Sequence, residues 1–171
     1  CLQRRPGIDL TIYPVHRSAW DLFKKHHYMT AQNPSQARCY VAEYRGAPVA
    51  FASVAWQLCQ KSGWRIARCV VLPDYQGVGI GLAVMRDVAS WYRATGKPVR
   101  FTAANPALIR GAARSKDWLM TQKPQRMSVM RRQRADLRHV PRSRASNRLV
   151  ASFRYVGPAS REAAVEFGLL D

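Results

Sequence analysis

The hexapeptide Gln76-Gly77-Val78-Gly79-Ile80-Gly81 places glycine at every second position, between the apolar run "VVLPDY" and a helix-like pattern. Glycine loses more conformational freedom on folding than any other residue, so this spacing needs a physical reason. A strand that ends in glycines and enters a helix makes an anion site. The first N–H groups of the helix have no intrahelical partner, and the helix dipole adds to their pull. Without Cβ atoms the main chain can approach a phosphate closely. Two common phosphate loops do not fit: there is no Gly-Lys-Ser/Thr, as a Walker loop requires, and no second glycine pair spaced as in a dinucleotide loop.

Few other side chains offer acid–base or nucleophilic chemistry. His26, His27 and Tyr28 stand together at the end of a helix-like segment. An imidazole titrating near neutrality suits a general base; the structural alternative is a cationic helix C-terminus that satisfies the dipole. Tyr155, in a late strand-like run, is a candidate general acid or a core aromatic. Cys69 is a candidate acyl-carrying nucleophile or a buried, inert thiol. Cys1, Cys39, Cys59 and Cys69 show no C-x-x-C spacing, and His26 and His27 have no third ligand nearby in sequence, so no metal is expected. Reduced thiols of this kind fit a cytoplasmic protein.

The elements that would position these residues can be read from periodicity. Residues 9–15 form a first strand, and "SAWDLFKKHHYM" a helix with Ser18 as N-cap and Asp21 completing a capping box. Runs near 38–44 and 48–58 flank the Arg45-Gly46-Ala47 turn as a hairpin. "GWRIARCVVL" is a strand stopped by Pro73 and Asp74. After the glycines, Val84, Met85, Val88, Trp91 and Tyr92 recur at helical spacing up to Gly96, a good C′ residue. "KPVRFTA" is the next strand; Asn105-Pro106 is an N-cap and first helical residue, with a helix through about Ala113. "RLVASFRYVG" returns to strand character, and "PASREAAVEFGLL" closes the chain as a short helix. This order is mixed α/β in a single domain, and the 171 residues suffice for a sizeable core.

Charge sets the expected partner. Lys+Arg is 28 against Asp+Glu 10, a formal net charge of +18. Such a bias points to nucleic acid, another polyanion, a phosphorylated cofactor or an acidic surface. The excess concentrates in residues 123–148, which hold Lys123, Arg126, Arg131, Arg132, Arg134, Arg138, Arg142, Arg144 and Arg148 against Asp136 alone. Poor periodicity there reads as a basic loop or arm, and its arginines suit phosphate through their planar forks. No apolar run reaches the roughly 20 residues of a membrane span, and no membrane partner is expected. The first residue is Cys, so the chain is expected to be a trimmed product or the C-terminal part of a longer polypeptide.

"Gln76-Gly77-Val78-Gly79-Ile80-Gly81" fits Q/R-x-x-G-x-G/A, and with "VVLPDYQGVGIG" and "YVAEYRGAPVAFASV" it resembles the GNAT superfamily of acyl-CoA-dependent N-acyltransferases. Residues 10–120 follow that family's element order. "FKKHHYMTAQNPSQARCYVAEYRGAPVAF", "NPALIRGAARSKDWLM" and "RLVASFRYVG" resemble acetyltransferase-like domains that occur alone in phages or fused to ABC-type ATPases. The resemblance implies a central twisted mixed sheet flanked by helices, and acetyl-CoA or another acyl-CoA as cofactor. It implies that Gln76 to Gly81 take the pyrophosphate and that main-chain groups of Cys69, Val70 and Val71 pair with the pantetheine. Val71 N–H would face the acyl carbonyl, and Asn105 would touch the pantetheine or simply cap its helix. His27 and Tyr28 would lie on the acceptor side, with Tyr155 as the remaining acid.

The sequence departs from the family in two places. Many members carry a Glu on the strand before the loop and a Tyr after the following one; here "RIARC" has no acid and "NPALIRGAARSKDWLM" no Tyr. Three functions therefore stay open. One is transfer to an amine of a nucleic acid or of a nucleic-acid-bound substrate. The second is transfer to a protein or small amine. The third is a degenerate module that binds nucleic acid or a partner ATPase.

Overall fold

The computed structural model describes residues 7–27, 32–58, 62–126 and 149–171. The strands are β1 (Thr11–Val15), β2 (Arg38–Tyr44), β3 (Ala47–Gln57), β4 (Gly63–Val71), β5 (Val99–Ala103), β6 (Trp118–Arg126) and β7 (Leu149–Tyr155). The helices are α1 (Trp20–Phe23), α2 (Ile80–Arg93), α3 (Pro106–Arg114) and α4 (Arg161–Glu166). The strands form one sheet in the order β1-β2-β3-β4-β5-β7-β6. All neighbours are antiparallel except β4 and β5. This is the mixed α/β sheet expected from the sequence. No described helix is long and apolar enough to cross a membrane.

The β2–β3 hairpin closes on Arg45 and Gly46, with φ of +53° and +78°. Two successive left-handed residues match the twist of the flanking strands, which is why a two-residue turn suffices. Side chains alternate across the sheet, so each strand has two faces. One face, with Tyr40, Ala50, Ala52, Phe101 and Phe153, packs under Val84, Met85, Val88 and Tyr92 of α2. The buried hydroxyls of Tyr40 and Tyr92 meet at 2.8 Å, so neither is orphaned. The opposite face carries a smaller cluster, where Trp20 and Phe23 cover Val41, Phe51 and Val70.

Two expectations are corrected. The first helix is not capped by Ser18. The His16 ring accepts from Ser18 N–H at 3.3 Å, the Ser18 hydroxyl lies 2.9 Å from the same Nδ1, and Asp21 instead receives Lys24 Nζ at 2.8 Å. Without the reciprocal box the segment divides into a 3-10 turn, a single α turn and a second 3-10 turn. Nor is the start of the expected basic loop or arm irregular. Lys123 to Arg126 belong to β6, a strand absent from the sequence reading, which pairs with β7 from Trp118↔Tyr155 to Arg126↔Leu149. The rest of the expected arm lies outside the described residues.

Candidate functional site

The site is created by a parting of two strands. β4 pairs with β5 only at Trp64↔Val99 and Arg65↔Arg100. Immediately beyond, β4 pairs with β3 as Val54↔Ile66 and then Ser53↔Arg68, so Ala67 is an extra residue. A bulge of this kind bends its strand and increases the local twist. From Ile66 to Val71, β4 follows β3, while β5 follows β7 through Ala103↔Ala151. Leu72 N–H donates to Val49 O of β3 at 2.9 Å. Main-chain groups alternate sides along a strand, so those of Val71 and Cys69 point away from β3, into the gap. The Val71 carbonyl confirms that direction by accepting Gln76 Nε2 at 2.8 Å.

The glycine loop closes the carboxyl end of this gap. A 3-10 turn at Pro73–Tyr75 leads to Gly77 and Gly79, with φ of +83° and +98°. Both glycines are therefore required by the backbone itself. Gly79 is the N-cap of α2 and has no side chain to satisfy its first turn. The N–H groups of Gly77 to Gly81 find no backbone acceptor among the described residues. The first turn of α2 contains no acid, so nothing there offsets the positive end of the dipole. Gly81 has a different task. A Cβ there would lie 3.1 Å from Val71 Cγ2 and 3.8 Å from Cys69 Sγ, so its absence lets α2 sit down on β4.

Because β4 and β5 are parallel, the helix that follows each strand begins at the same end of the sheet. Asn105 caps α3, its Oδ1 accepting from Ala107 N–H at 2.8 Å and Leu108 N–H at 3.2 Å. Two helix N-termini and an open strand edge thus converge outside the carboxyl ends of parallel strands, where open α/β sheets bind ligands.

The sequence model of the acetyltransferase (GNAT) family matches residues 8–111, which run from β1 through the gap and into α3. The chain belongs to the acetyltransferase (GNAT) family. Solved structures agree on the fold. The ribosomal-protein-S18-alanine N-acetyltransferase from Escherichia coli is 12% identical, with a TM-score of 0.59 over 90% of this chain and 98% of that one. A variant of the SpeG spermidine N-acetyltransferase from Vibrio cholerae is 9% identical, with a TM-score of 0.61 over 85% and 92%. Arabidopsis thaliana NAA60, solved in complex with acetyl-CoA, is 12% identical, with a TM-score of 0.59 over 86% and 99%. No curated protein matches the chain in sequence.

The other expected site residues of this GNAT chain are dispersed. Cys69 is buried at its thiol, whose Sγ lies 3.6 Å from Gly81 O, and burial pushes it from 9.0 up to about 12. It stays a thiol at neutral pH and is no nucleophile. Tyr155 is buried on β7, where its hydroxyl donates to Pro158 O at 3.0 Å. In register it lies beyond Arg154↔Arg100, at the end of the sheet away from the glycines, so the structure does not bring it to the gap. His26 ends the second 3-10 turn, and the half-buried His27 sets its ring against Trp20 at 5.5 Å. Arg126 is exposed at the end of β6. Tyr28, Arg131, Arg132, Arg134, Arg138, Arg142 and Arg144 lie outside the described residues.

The α1 side of the gap holds residues that sequence reasoning passed over. A cavity of about 850 Å³ there is lined by Arg17, Trp20, Asp21, Asn33 and Arg68, among others. Arg68 follows the Ala67 bulge and donates to Gln32 O at 2.8 Å. The buried Ser53 hydroxyl donates to Asn33 Oδ1 at 2.7 Å, tying this rim to β3. The available signal was the second arginine of the strand segment "RIARCVV".

Cys69 carries a pH prediction. A thiol raised from 9.0 to about 12 is protonated in the folded chain after the unfolded chain has lost its proton. Its contribution to stability is therefore fully present below the unfolded value and is lost as pH rises toward the folded one. Burial raises Tyr40 and Tyr92 in the same direction. Urea unfolding between about pH 8 and pH 11 should show stability falling, with a shallower fall in Cys69→Ala. An identical profile for that variant contradicts the buried-thiol assignment.

Proposed function

We propose that this GNAT chain is an acyl-CoA-dependent N-acyltransferase, using acetyl-CoA and acting on an amine that is part of, or bound to, a nucleic acid. One observation carries the acyl-transfer part: β4 leaves β5 at Ala67 and turns the N–H groups of Cys69 and Val71 into a gap ended by unpartnered glycine N–H groups. That donor set fits an acyl-CoA. The loop from Gly77 to Gly81 would hold the pyrophosphate, with Gln76 bracing it through Val71 O. The open edge at Cys69 to Val71 would pair with the pantetheine arm, and the carboxamide nitrogen of Asn105 is left over from capping to join it.

When bound, an acyl-CoA supplies an activated thioester. The chain's part is to hold and polarise. Val71 N–H donates to the thioester oxygen and stabilises the negative charge that develops there, in a fixed geometry that needs no reorganisation. The amine approaches from the α1 side, where the cavity beside Arg68 and Trp20 opens. Its nitrogen would bond to the acyl carbon, the carbon–sulfur bond would break with CoA leaving as the thiolate, and the amine proton would have to leave. We assign that proton to His27, the imidazole held against Trp20.

The nucleic-acid part rests on charge: +18 exceeds what a single cofactor's phosphates require. One observation favours the degenerate module instead, since β4 carries no carboxylate. Chromatographic measurement of free CoA separates the two. Acyl transfer releases CoA from acetyl-CoA when nucleic acid is added, and a module that only binds releases none.

A further inference from the structure

The face of the sheet opposite α2 is covered by Trp20 and Phe23 over β2, β3 and the end of β4. Over β5, β7 and β6 the helices α2 and α3 pack on the other face, where Leu108, Ile109 and Ala112 of α3 join the main cluster. Three arginines cross the face opposite α2 in register. Arg65 of β4 is the direct partner of Arg100 of β5, and Arg100 is the direct partner of Arg154 of β7. Direct cross-strand partners share a face. Their neighbours Val99, Phe101 and Phe153 are buried on the other side, so the arginine row faces outward.

Adjacent strands lie about 4.8 Å apart, so these cations form a closely spaced line. Arg65 and Arg154 have no carboxylate partner among the described residues. None of β4, β5, β6 and β7 contains an acid, while they also carry Arg68, Lys123 and Arg126. Next to the row, toward the carboxyl end of β5, lies a line of neutral hydrogen-bonding groups. Thr102 Oγ1 is 3.1 Å from Ser152 Oγ, and Thr121 Oγ1 donates to Ser152 O at 3.2 Å.

We propose that this face is a docking surface for the phosphodiester backbone of a nucleic acid, with Arg65, Arg100 and Arg154 as its centre. A protein partner would need an apolar core to its interface. Here Leu119, beside Arg154, is the exposed large apolar side chain at the row. Cationic, carrying hydroxyls and with no acid on its described strands, the face complements a polyphosphate strand. Along β4 the row lies about 20 Å from Val71, so a strand seated on it and running over Thr102 and Ser152 reaches the gap. The inference deepens the nucleic-acid part of the proposed function and rests on that part; acyl-CoA binding plays no role in it.

The test is fluorescence anisotropy with a labelled single-stranded oligonucleotide of about 20 residues, and its duplex, across a salt series. The variants are Arg65→Gln/Arg100→Gln/Arg154→Gln and the charge-preserving triple replacement by Lys. Acetyl-CoA calorimetry reports whether each is folded. The Gln triple should lose at least about tenfold in affinity, and its salt slope for the single strand should shrink by about 2, the value for three phosphate contacts. The Lys triple should keep most of that slope. Wild-type protein that binds neither oligonucleotide overturns the nucleic-acid reading and this surface with it. Wild-type binding that the Gln triple matches overturns the surface alone. Equal binding of polyglutamate assigns the face to acidic chains in general and also overturns it.

Discussion

Gly79→Glu should abolish measurable acetyl-CoA binding in calorimetry. The backbone at this residue is left-handed, with φ of +98°, and a Cβ there meets nothing within 4 Å. The variant therefore costs backbone strain of about 1–3 kcal/mol without a steric clash. The decisive effect is electrostatic. A carboxylate at the N-cap of α2 can take the unpartnered N–H groups of the first turn, where the dipole favours it. It fills the anion site from within and repels a phosphate that would enter. Gly79→Ala separates the two effects, since it carries the strain without the charge and should bind with reduced affinity. Unchanged affinity in Gly79→Glu removes the loop from the cofactor site.

Val71→Pro should lower kcat by about 10²–10³-fold, the usual cost of losing one donor to a developing oxyanion. Proline removes the N–H that points into the gap. It spares the β3 ladder, which takes the Leu72 N–H instead. Proline is tolerated where a strand N–H faces away from a neighbour. The control is Val71→Ala, which trims the side chain packed near Gly81 but keeps the N–H. Equal rates for the two variants contradict the role given to Val71. A loss confined to KM would mean that the N–H binds the donor without favouring the transition state.

These effects concern elements that local sequence disclosed well. The glycine loop before α2, the Asn105 cap and the turn at Arg45-Gly46-Ala47 are each settled within a few residues, and each was legible for that reason. β6 was not. "WLMTQKPQR" carries Pro124 and two cations, and it becomes a strand because β7 supplies its partner from across residues 127–148. As an edge strand it accommodates proline. The first helix failed for the opposite reason: its capping signal was present, but the His16 ring and Lys24 took the side chains the box required.

The site was legible as a loop and illegible as a cleft. Nothing near Ala67 announces a bulge. It follows from how β3 and β4 share their register, and the gap follows from where β5 is held by β7. The row of Arg65, Arg100 and Arg154 is likewise invisible along the chain, because three strands must meet before the side chains do. The position of Tyr155 is hidden in the same way. It looked available in sequence, and its place at the far end of β7 is a property of the assembled sheet.

Acyl transfer to a nucleic-acid-borne amine is tested by where the acyl group goes. Wild-type protein is incubated with acetyl-CoA labelled in the acetyl group and, separately, with duplex DNA, bulk RNA and a protein extract. Acid-stable label is expected in a nucleic-acid fraction, and none there with Val71→Pro over the same time. Label confined to protein, or in no fraction while acetyl-CoA is bound, contradicts it.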